Sequence, residues 1–196
     1  MKKAYLFAGV SIFFWSTVAT IAKMLLGTLD SIQVMSVSAL FASLFLLVVN
    51  IATGTIKKLR QYRLADVAKT ILIGLPGTFL YYVFYYTGTD RMLASQAFIV
   101  NYLWPIMSVV FACILLKEKL TVRKGIAIAL SFVGVIIVTG GDLAQMNTDT
   151  LVGALMCVMG AVSYGLFTAL NQKSHYDKRL SMMLAYFSSF VLHLSN

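Results

Sequence analysis

The sequence predicts an all-α polytopic membrane protein, and three observations support this fold class. Hydrophobic residues make up 60% of the chain and charged residues 12%, whereas a soluble domain carries about 25% charged residues. The apolar residues fall into stretches close to the roughly 20 residues that a helix needs to cross a hydrocarbon core of about 30 Å. Lipid offers the backbone no hydrogen-bond partner, so each stretch must satisfy its own N–H and C=O groups as a helix.

Short polar connections separate the apolar stretches, and we interpret each stretch as one membrane span. The first begins directly after Lys3. It is too long for the apolar region of a signal peptide and has no small-residue cleavage site, so we expect a retained helix. In chain order the predicted spans are residues 4–27, 32–53, 67–88, 93–116, 125–140, 151–171 and 181–196.

The positive charges lie almost wholly on one side of these spans if the amino terminus is cytoplasmic. The opposite side then holds only Arg91, with Lys23 near the end of the first span. This asymmetry follows the positive-inside rule and explains the net charge of +9 without a nucleic-acid partner. We therefore expect a multi-pass protein of the cytoplasmic membrane, in contact with the lipid bilayer. The basic residues assigned to the cytoplasmic side are Lys2, Lys3, Lys57, Lys58, Arg60, Arg63, Lys117, Lys119, Arg123, Lys124, Lys173, Lys178 and Arg179.

The first span carries small and polar residues at helical spacing, a pattern that normally faces other helices. Ser16, Thr20 and Lys23 belong to this stripe, and Trp15 lies beside it at mid-depth. A lysine within a span is a candidate partner for a substrate carboxylate. Lys23 is about one turn from the helix end, which favours the alternative that it extends to the outer interface. The second span holds no ionisable group and is predicted to be a packing helix.

The third span is predicted to kink or break near its centre. Pro76 removes a backbone donor and clashes with the preceding turn, and Gly77 weakens the helix further. Broken helices line binding sites in many secondary transporters, and a simple packing kink is the alternative. Beyond the break, Tyr85 and Tyr86 are expected in an outer aromatic belt. Tyr81 and Tyr82 lie deeper, and stacking or hydrogen bonding of one of them to an organic substrate is the less favoured interpretation.

The fourth span gathers small and polar residues onto one face that should point into the bundle. Asn101, Trp104 or Pro105, and Ser108 lie on this face. Asn101 needs hydrogen-bond partners in hydrocarbon and serves either a neighbouring helix or a ligand. Pro105 interrupts the helix at mid-depth. A basic turn follows, and then a fifth span whose small residues allow close helix approach.

Five short sequences in this region form a pattern: ASQA at residues 94–97, NYLWP at 101–105, LKEKL at 116–120, GIA at 125–127 and GV at 134–135. Together they resemble the signature of the EamA family in the drug/metabolite transporter superfamily. The resemblance implies two inverted repeats of five helices. Residues 1–141 are then one complete repeat, and residues 142–196 are the start of the second, with the sixth helix and a partial seventh. Because each repeat has an odd number of helices, the second copy is inverted in the membrane. This agrees with the charge pattern, in which the first span leaves the cytoplasm and the sixth span enters it.

The sixth span restarts the pattern of the first, with an aromatic residue near the middle and a lysine at the end. Tyr164 corresponds to Trp15, and Lys173 to Lys23. The family's second repeat is incomplete in this sequence. We therefore expect either a shortened product or fragment, or a bundle that a partner chain completes.

The resemblance implies a secondary transporter that exports small organic metabolites, such as amino acids, by alternating access. Exporters of aromatic amino acids and metabolites are the branch that it resembles most. No glycine-rich phosphate loop points to an ATP-driven pump. Every Asp and Glu lies in a connection or at a span edge, so no buried carboxylate is available as a proton relay. Facilitated diffusion or exchange remains open, and a non-transporting membrane protein or helix bundle is the alternative function.

The sequence predicts neither an enzyme nor a cofactor or metal site. His175 lies in a loop and His193 at the end of the incomplete last span, without triad or metal companions. Cys113 and Cys157 lie inside spans as packing residues. The predicted substrate-binding residues are Trp15, Ser16, Tyr81, Asn101, Trp104 and Tyr164, with helix breaks at Pro76, Gly77 and Pro105.

Overall fold

The computed structural model describes residues 2–140 and 147–194, and every regular element in these ranges is helical. The prediction of an all-α polytopic protein is confirmed, because five stretches are long and apolar enough to cross a membrane. The predicted repeat boundary at residues 141 and 142, and residues 195 and 196 of the predicted seventh span, lie outside the described ranges. The five stretches are Tyr5–Leu26, Ser31–Ala52, Leu64–Asp90, Ala94–Leu115 and Thr148–Lys173.

The third and fourth predicted spans are each built from more than one helical piece. A π-helical segment, Pro76–Leu80, joins α3 to α4, and α5 and α6 together form the fourth span. A 3-10 helix, Thr55–Gln61, follows α2. The α-helices are α1 (Lys2–Leu26), α2 (Ser31–Ala52), α3 (Leu64–Leu75), α4 (Tyr81–Asp90), α5 (Ala94–Asn101), α6 (Trp104–Leu115), α7 (Val122–Gly140), α8 (Thr148–Lys173) and α9 (Lys178–Leu194).

Both prolines lie at interruptions of their helices. In the third span the hydrogen bonding widens after Pro76, and the Tyr81 N–H donates to the Pro76 carbonyl oxygen, five residues back. In the fourth span α5 ends at Asn101 and α6 begins at Trp104. Pro105 lies in the first turn of α6, where its missing N–H has no intrahelical partner to lose. Both spans are therefore interrupted next to their prolines, and a role in gating stays a prediction.

α8 and α9 pack against the preceding helices. α8 lies against α4, the π segment, α5 and α6, and α9 lies against α2 and α3. Glycines permit this close approach. Gly88 on α4 faces Gly153 on α8, where an added Cβ on Gly153 would lie 3.0 Å from the Gly88 carbonyl oxygen. The helices that the resemblance assigns to the second repeat are thus integrated with those of the first.

Contacts between connections show which ends of the helices lie together. The connection after α2 meets the one after α8, where Lys58 Nζ lies 2.7 Å from Asp177 Oδ2. At the opposite end, Lys23 Nζ donates to the carbonyl oxygens of Thr89 at 2.8 Å and Asp90 at 3.0 Å. The Lys23 ammonium therefore lies at this end of the helices, which agrees with the preferred interpretation that its side chain extends towards the outer interface. A cation at the carboxyl end of α4 satisfies unpaired carbonyl groups and offsets the helix dipole.

The Lys58–Asp177 pair gives the chain a small dependence of stability on pH. The hydrogen bond from the Lys58 ammonium holds the pKa of the Asp177 carboxyl below its usual value. The stabilisation is therefore present above the unfolded-state pKa of about 3.9 and is lost as the pH falls through the lower folded-state value. The pair is exposed to solvent, so we expect less than about 1 kcal/mol. Asp177→Asn should flatten the fall in unfolding temperature between pH 5 and pH 3, and Lys57→Gln should leave it unchanged. A wild-type slope in Asp177→Asn would contradict this assignment.

Candidate functional site

Aromatic rings from five helices meet in one continuous group, which we call the aromatic cluster. The Trp104 ring centroid lies 5.4 Å from that of Trp15 and 5.0 Å from that of Tyr164. Tyr81 lies 4.8 Å from Tyr164 and 4.8 Å from Tyr82. These separations are typical of favourable offset and edge-to-face contacts. The cluster consists of Trp15 on α1, Tyr81 and Tyr82 on α4, Trp104 on α6, Tyr164 on α8 and Tyr186 on α9.

The two helix breaks position the central rings of the cluster. Tyr81 is the first residue of α4, directly after the π segment, and Trp104 is the first residue of α6, directly after the interruption. Gly77 in the π segment allows α8 to approach, because a Cβ at this position would lie 2.3 Å from ring atoms of Phe167. The Phe167 ring in turn contacts Tyr164, with the centroids 5.6 Å apart. Both local irregularities therefore help to bring Tyr81, Trp104 and Tyr164 together.

Asn101, at the carboxyl end of α5, supplies a polar group to the cluster. Its side chain is 6% exposed, and Nδ2 donates to the Tyr81 hydroxyl at 3.0 Å. Oδ1 is buried without a hydrogen-bond partner among the described residues. A buried acceptor left unpaired costs about 1–3 kcal/mol, so such groups in proteins usually have a partner. Oδ1 is thus placed to accept a hydrogen bond from a bound molecule.

The chemistry of the cluster is that of neutral hydroxyl, amide and indole groups. Tyr82 and Tyr186 extend it across α4 and α9, with their hydroxyl oxygens 3.3 Å apart. Within residues 2–140 and 147–194, no group of three His, Cys, Asp or Glu side chains could hold a metal ion. The arrangement can stack on an apolar or aromatic ligand and hydrogen-bond to it.

Ser16 is a predicted site residue whose hydroxyl forms no hydrogen bond with the aromatic cluster in the described structure. Its hydroxyl donates to the Phe13 carbonyl oxygen at 2.8 Å within its own helix. Its neighbour Trp15 is 42% exposed and forms an open edge of the cluster. The other predicted contact residues, Tyr81, Asn101, Trp104 and Tyr164, lie together with Trp15.

The prediction of an outer aromatic belt at Tyr85 and Tyr86 is wrong. The structure buries both rings, to 1% and 5% exposure, because neighbouring helices cover α4. Sequence reasoning also missed Tyr186. The available signal was the series Ser181, Ala185 and Ser189, whose spacing of four marks the packed face of α9. Tyr186 borders that face.

His193 is expected from the sequence to lie at a frayed helix end, but the structure buries its side chain. It is 7% exposed, and its ring stacks on Phe79 with the centroids 4.6 Å apart. Nε2 has no hydrogen-bond partner within the described part of the chain. The hydroxyl of Ser189, one turn earlier, bonds to Thr78 and to the Ala185 carbonyl oxygen. His193 is therefore a packed residue of the α9 interface.

Comparisons with known proteins agree with the motif pattern. The model of the EamA-like transporter family matches residues 2–140. The chain is 27% identical over 180 residues to an uncharacterized transporter of Clostridium kluyveri, covering 88% of this chain and 57% of that protein. It is 24% identical over 172 residues to an uncharacterized transporter of Archaeoglobus fulgidus, covering 88% and 58%. It is 25% identical over 134 residues to the uncharacterized transporter YyaM of Bacillus subtilis, covering 67% and 43%.

No solved structure matches the chain. The chain spans 57% and 58% of the lengths of the first two relatives. The similarity to them is distributed over most of this chain, including helices beyond the matched family region.

Proposed function

Because the chain belongs to the EamA-like transporter family, we propose that it acts as a secondary transporter exporting small organic metabolites across the cytoplasmic membrane. Family membership and the spanning helices make it a multi-pass membrane protein related to transporters rather than to enzymes. The single observation that carries the substrate proposal is the aromatic cluster with the unpaired Asn101 Oδ1. The substrate would be an amino acid or a similar compound.

The chemistry of the cluster favours substrates with an apolar or aromatic body and a hydrogen-bond donor. Indole and phenol faces stack on planar groups, and Trp15 leaves one edge of the cluster 42% exposed. The Asn101 amide oxygen accepts from an ammonium or hydroxyl group. The aromatic faces also favour a cationic ammonium placed over a ring. Aromatic amino acids combine these features.

Alternating access is the proposed route of transport, with the helix breaks as its moving parts. The π segment and the interruption before Trp104 lie beside the cluster and weaken the helical hydrogen-bond ladder. The predicted division into an inverted pair of repeats, residues 1–141 and 142–196, would supply the two halves. The described carboxylates, including Asp30, Asp90 and Asp177, lie at helix ends. Their placement favours facilitated diffusion or exchange over proton coupling through an acid.

Flux measurements in reconstituted vesicles test the function. Vesicles containing the chain should exchange labelled tryptophan or phenylalanine faster than empty vesicles. Asn101→Ala removes the acceptor and should lower flux at low substrate concentration by about tenfold, the effect of one lost buried hydrogen bond. Asn171→Ala changes an amide near the end of α8 and should leave flux unchanged. Absence of flux for any amino acid would contradict transport by this chain and favour the non-transporting alternative.

The proposed orientation places the amino terminus and the basic connections in the cytoplasm. Single cysteines replacing Lys57, Lys119 and Arg91 test it with a membrane-impermeant maleimide. We expect Arg91→Cys to react in intact cells, and Lys57→Cys and Lys119→Cys only after permeabilisation. The wild-type chain, whose Cys113 and Cys157 lie within the helices, serves as the blank. Reaction of Lys57→Cys and Lys119→Cys from opposite sides would overturn the topology.

A further inference from the structure

A pocket of about 330 Å³ lies at the end of the bundle that holds the Lys58–Asp177 pair. It shares no lining residue with the aromatic cluster. Lys69 on α3, Lys173 at the end of α8 and His175 in the following connection contribute its polar side. Leu72, Ile73 and Leu170 contribute an apolar wall. The pocket therefore combines basic groups at one level with a hydrocarbon surface beside them.

The two lysines of the pocket make no stabilising polar contact among the described residues. Among the described residues, neither Lys69 nor Lys173 forms a hydrogen bond or salt bridge through its ammonium group. The neighbouring lysines, by contrast, do form such bonds. Lys58 pairs with Asp177, and Lys178 donates to backbone carbonyl oxygens at the end of α8. Two exposed, unpaired ammonium groups on facing helices are available to one anion.

One carboxylate and one helix end also lie near the pocket. Asp66 is the acid that faces Lys69, and its carboxylate accepts from the Tyr176 hydroxyl and from the Arg63 N–H, each at 2.9 Å. The carbonyl end of α8 would repel an anion through its helix dipole. Lys178 caps these carbonyls and offsets that repulsion. The lining therefore carries two lysine charges, Lys69 and Lys173, beside the single negative charge of Asp66.

The position of the pocket along its helices selects a lipid over a free anion. Lys69 lies five residues into the apolar stretch Leu64–Asp90, about 7.5 Å along the axis at 1.5 Å per residue. Leu72, one turn further in, is 65% exposed on the outer surface of the bundle. An ammonium group at this depth lies near the headgroup level, and the leucine extends the contact into the acyl region.

We propose that this pocket binds the phosphate of an anionic phospholipid between Lys69 and Lys173, with an acyl chain against Leu72, Ile73 and Leu170. His175 would add a hydrogen bond to the phosphate or glycerol oxygens. The site is separate from the aromatic cluster and does not depend on transport. Bound lipid would link the end of α3 to the end of α8, the helix that carries Tyr164 of the aromatic cluster.

Native mass spectrometry of the full chain, released from detergent micelles, tests the proposal with lipids of stated composition. We expect phosphatidylglycerol to be retained over phosphatidylcholine with the same acyl chains. The double variant Lys69→Gln/Lys173→Gln should weaken this retention by about tenfold or more. Lys69→Arg/Lys173→Arg should restore it, because the charges return. Lys57→Gln, at an exposed lysine of the same end outside the pocket, is the matched control and should remain within about twofold of the wild type.

Three results would overturn the proposal. Equal retention of the two lipids would show that no anionic headgroup is recognised. Wild-type retention in the double Gln variant would place the lipid elsewhere. Displacement of phosphatidylglycerol by inorganic phosphate at equal concentration would assign the pocket to a soluble anion. Both lysines are exposed, so we expect their variants to fold normally. Elution volume and helical content, each compared with the wild type, check this.

Discussion

Replacing Gly165 by valine is expected to lower the free energy of unfolding by about 3 kcal/mol or more, because it forces α6 and α8 apart. A Cβ at Gly165 would lie 2.5 Å from Met107 Cβ, 2.7 Å from the Met107 carbonyl carbon and 2.8 Å from the Ser108 nitrogen. Two of these atoms belong to the backbone, so a change of side-chain rotamer cannot relieve the overlap. Separation of the helices would also draw Tyr164 away from Trp104 and disturb the aromatic cluster.

Unfolding by heat or denaturant in detergent measures the effect, with Gly134→Val as the matched control. Gly134 is also a helical glycine, and a Cβ there would meet no atom within 4 Å. The control therefore carries the same change in helix propensity, from glycine to a β-branched residue, without the overlap, and its change should stay within about 1 kcal/mol. Similar destabilisation of both variants would show that the overlap with α6 does not account for the loss, and the packing argument would fail.

Five of the seven predicted spans correspond to stretches long and apolar enough to cross a membrane, and they could be predicted because the bilayer fixes the length and composition of a helix without reference to its neighbours. The interruptions near Pro76 and Pro105 were predictable for a similar reason, since proline acts on its own helix. The shared face of Asn101 and Trp104 follows from the helical period, which is also local. Each of these inferences needs only one stretch of chain.

The contacts between distant helices could not be predicted in this way. Tyr85 and Tyr86 follow the pattern of an interfacial belt, and only the packing of other helices against α4 shows that they are buried. Lys23 reaches carbonyl oxygens of Thr89 and Asp90, 66 and 67 residues further along the chain. No local spacing specifies such a partner. The composition of the cluster depends in the same way on how α8 and α9 dock.

Replacing Trp104 by alanine is expected to reduce substrate flux by more than tenfold and to raise the apparent KM. The indole is the ring that joins Trp15 to Tyr164, at centroid distances of 5.4 Å and 5.0 Å. Its removal leaves a cavity and deletes a stacking surface, at a cost of about 3–5 kcal/mol in stability where the site cannot collapse. Trp104→Phe keeps an aromatic face and should retain most of the flux. Flux is measured in vesicles per folded protein, so that loss of stability and loss of binding are separated.

Phe45→Ala is the matched control, because this ring on α2 is 69% exposed and has no contact with the cluster in the described structure. Its flux should equal that of the wild type, since a lipid-facing ring contributes little to a cavity between helices. Trp104→Ala with unchanged flux and KM would remove the aromatic cluster from the proposed substrate path. A fall of the same size in Phe45→Ala would assign the effect to general loss of insertion. Only a selective loss at Trp104, partly restored by phenylalanine, supports stacking of the substrate on this ring.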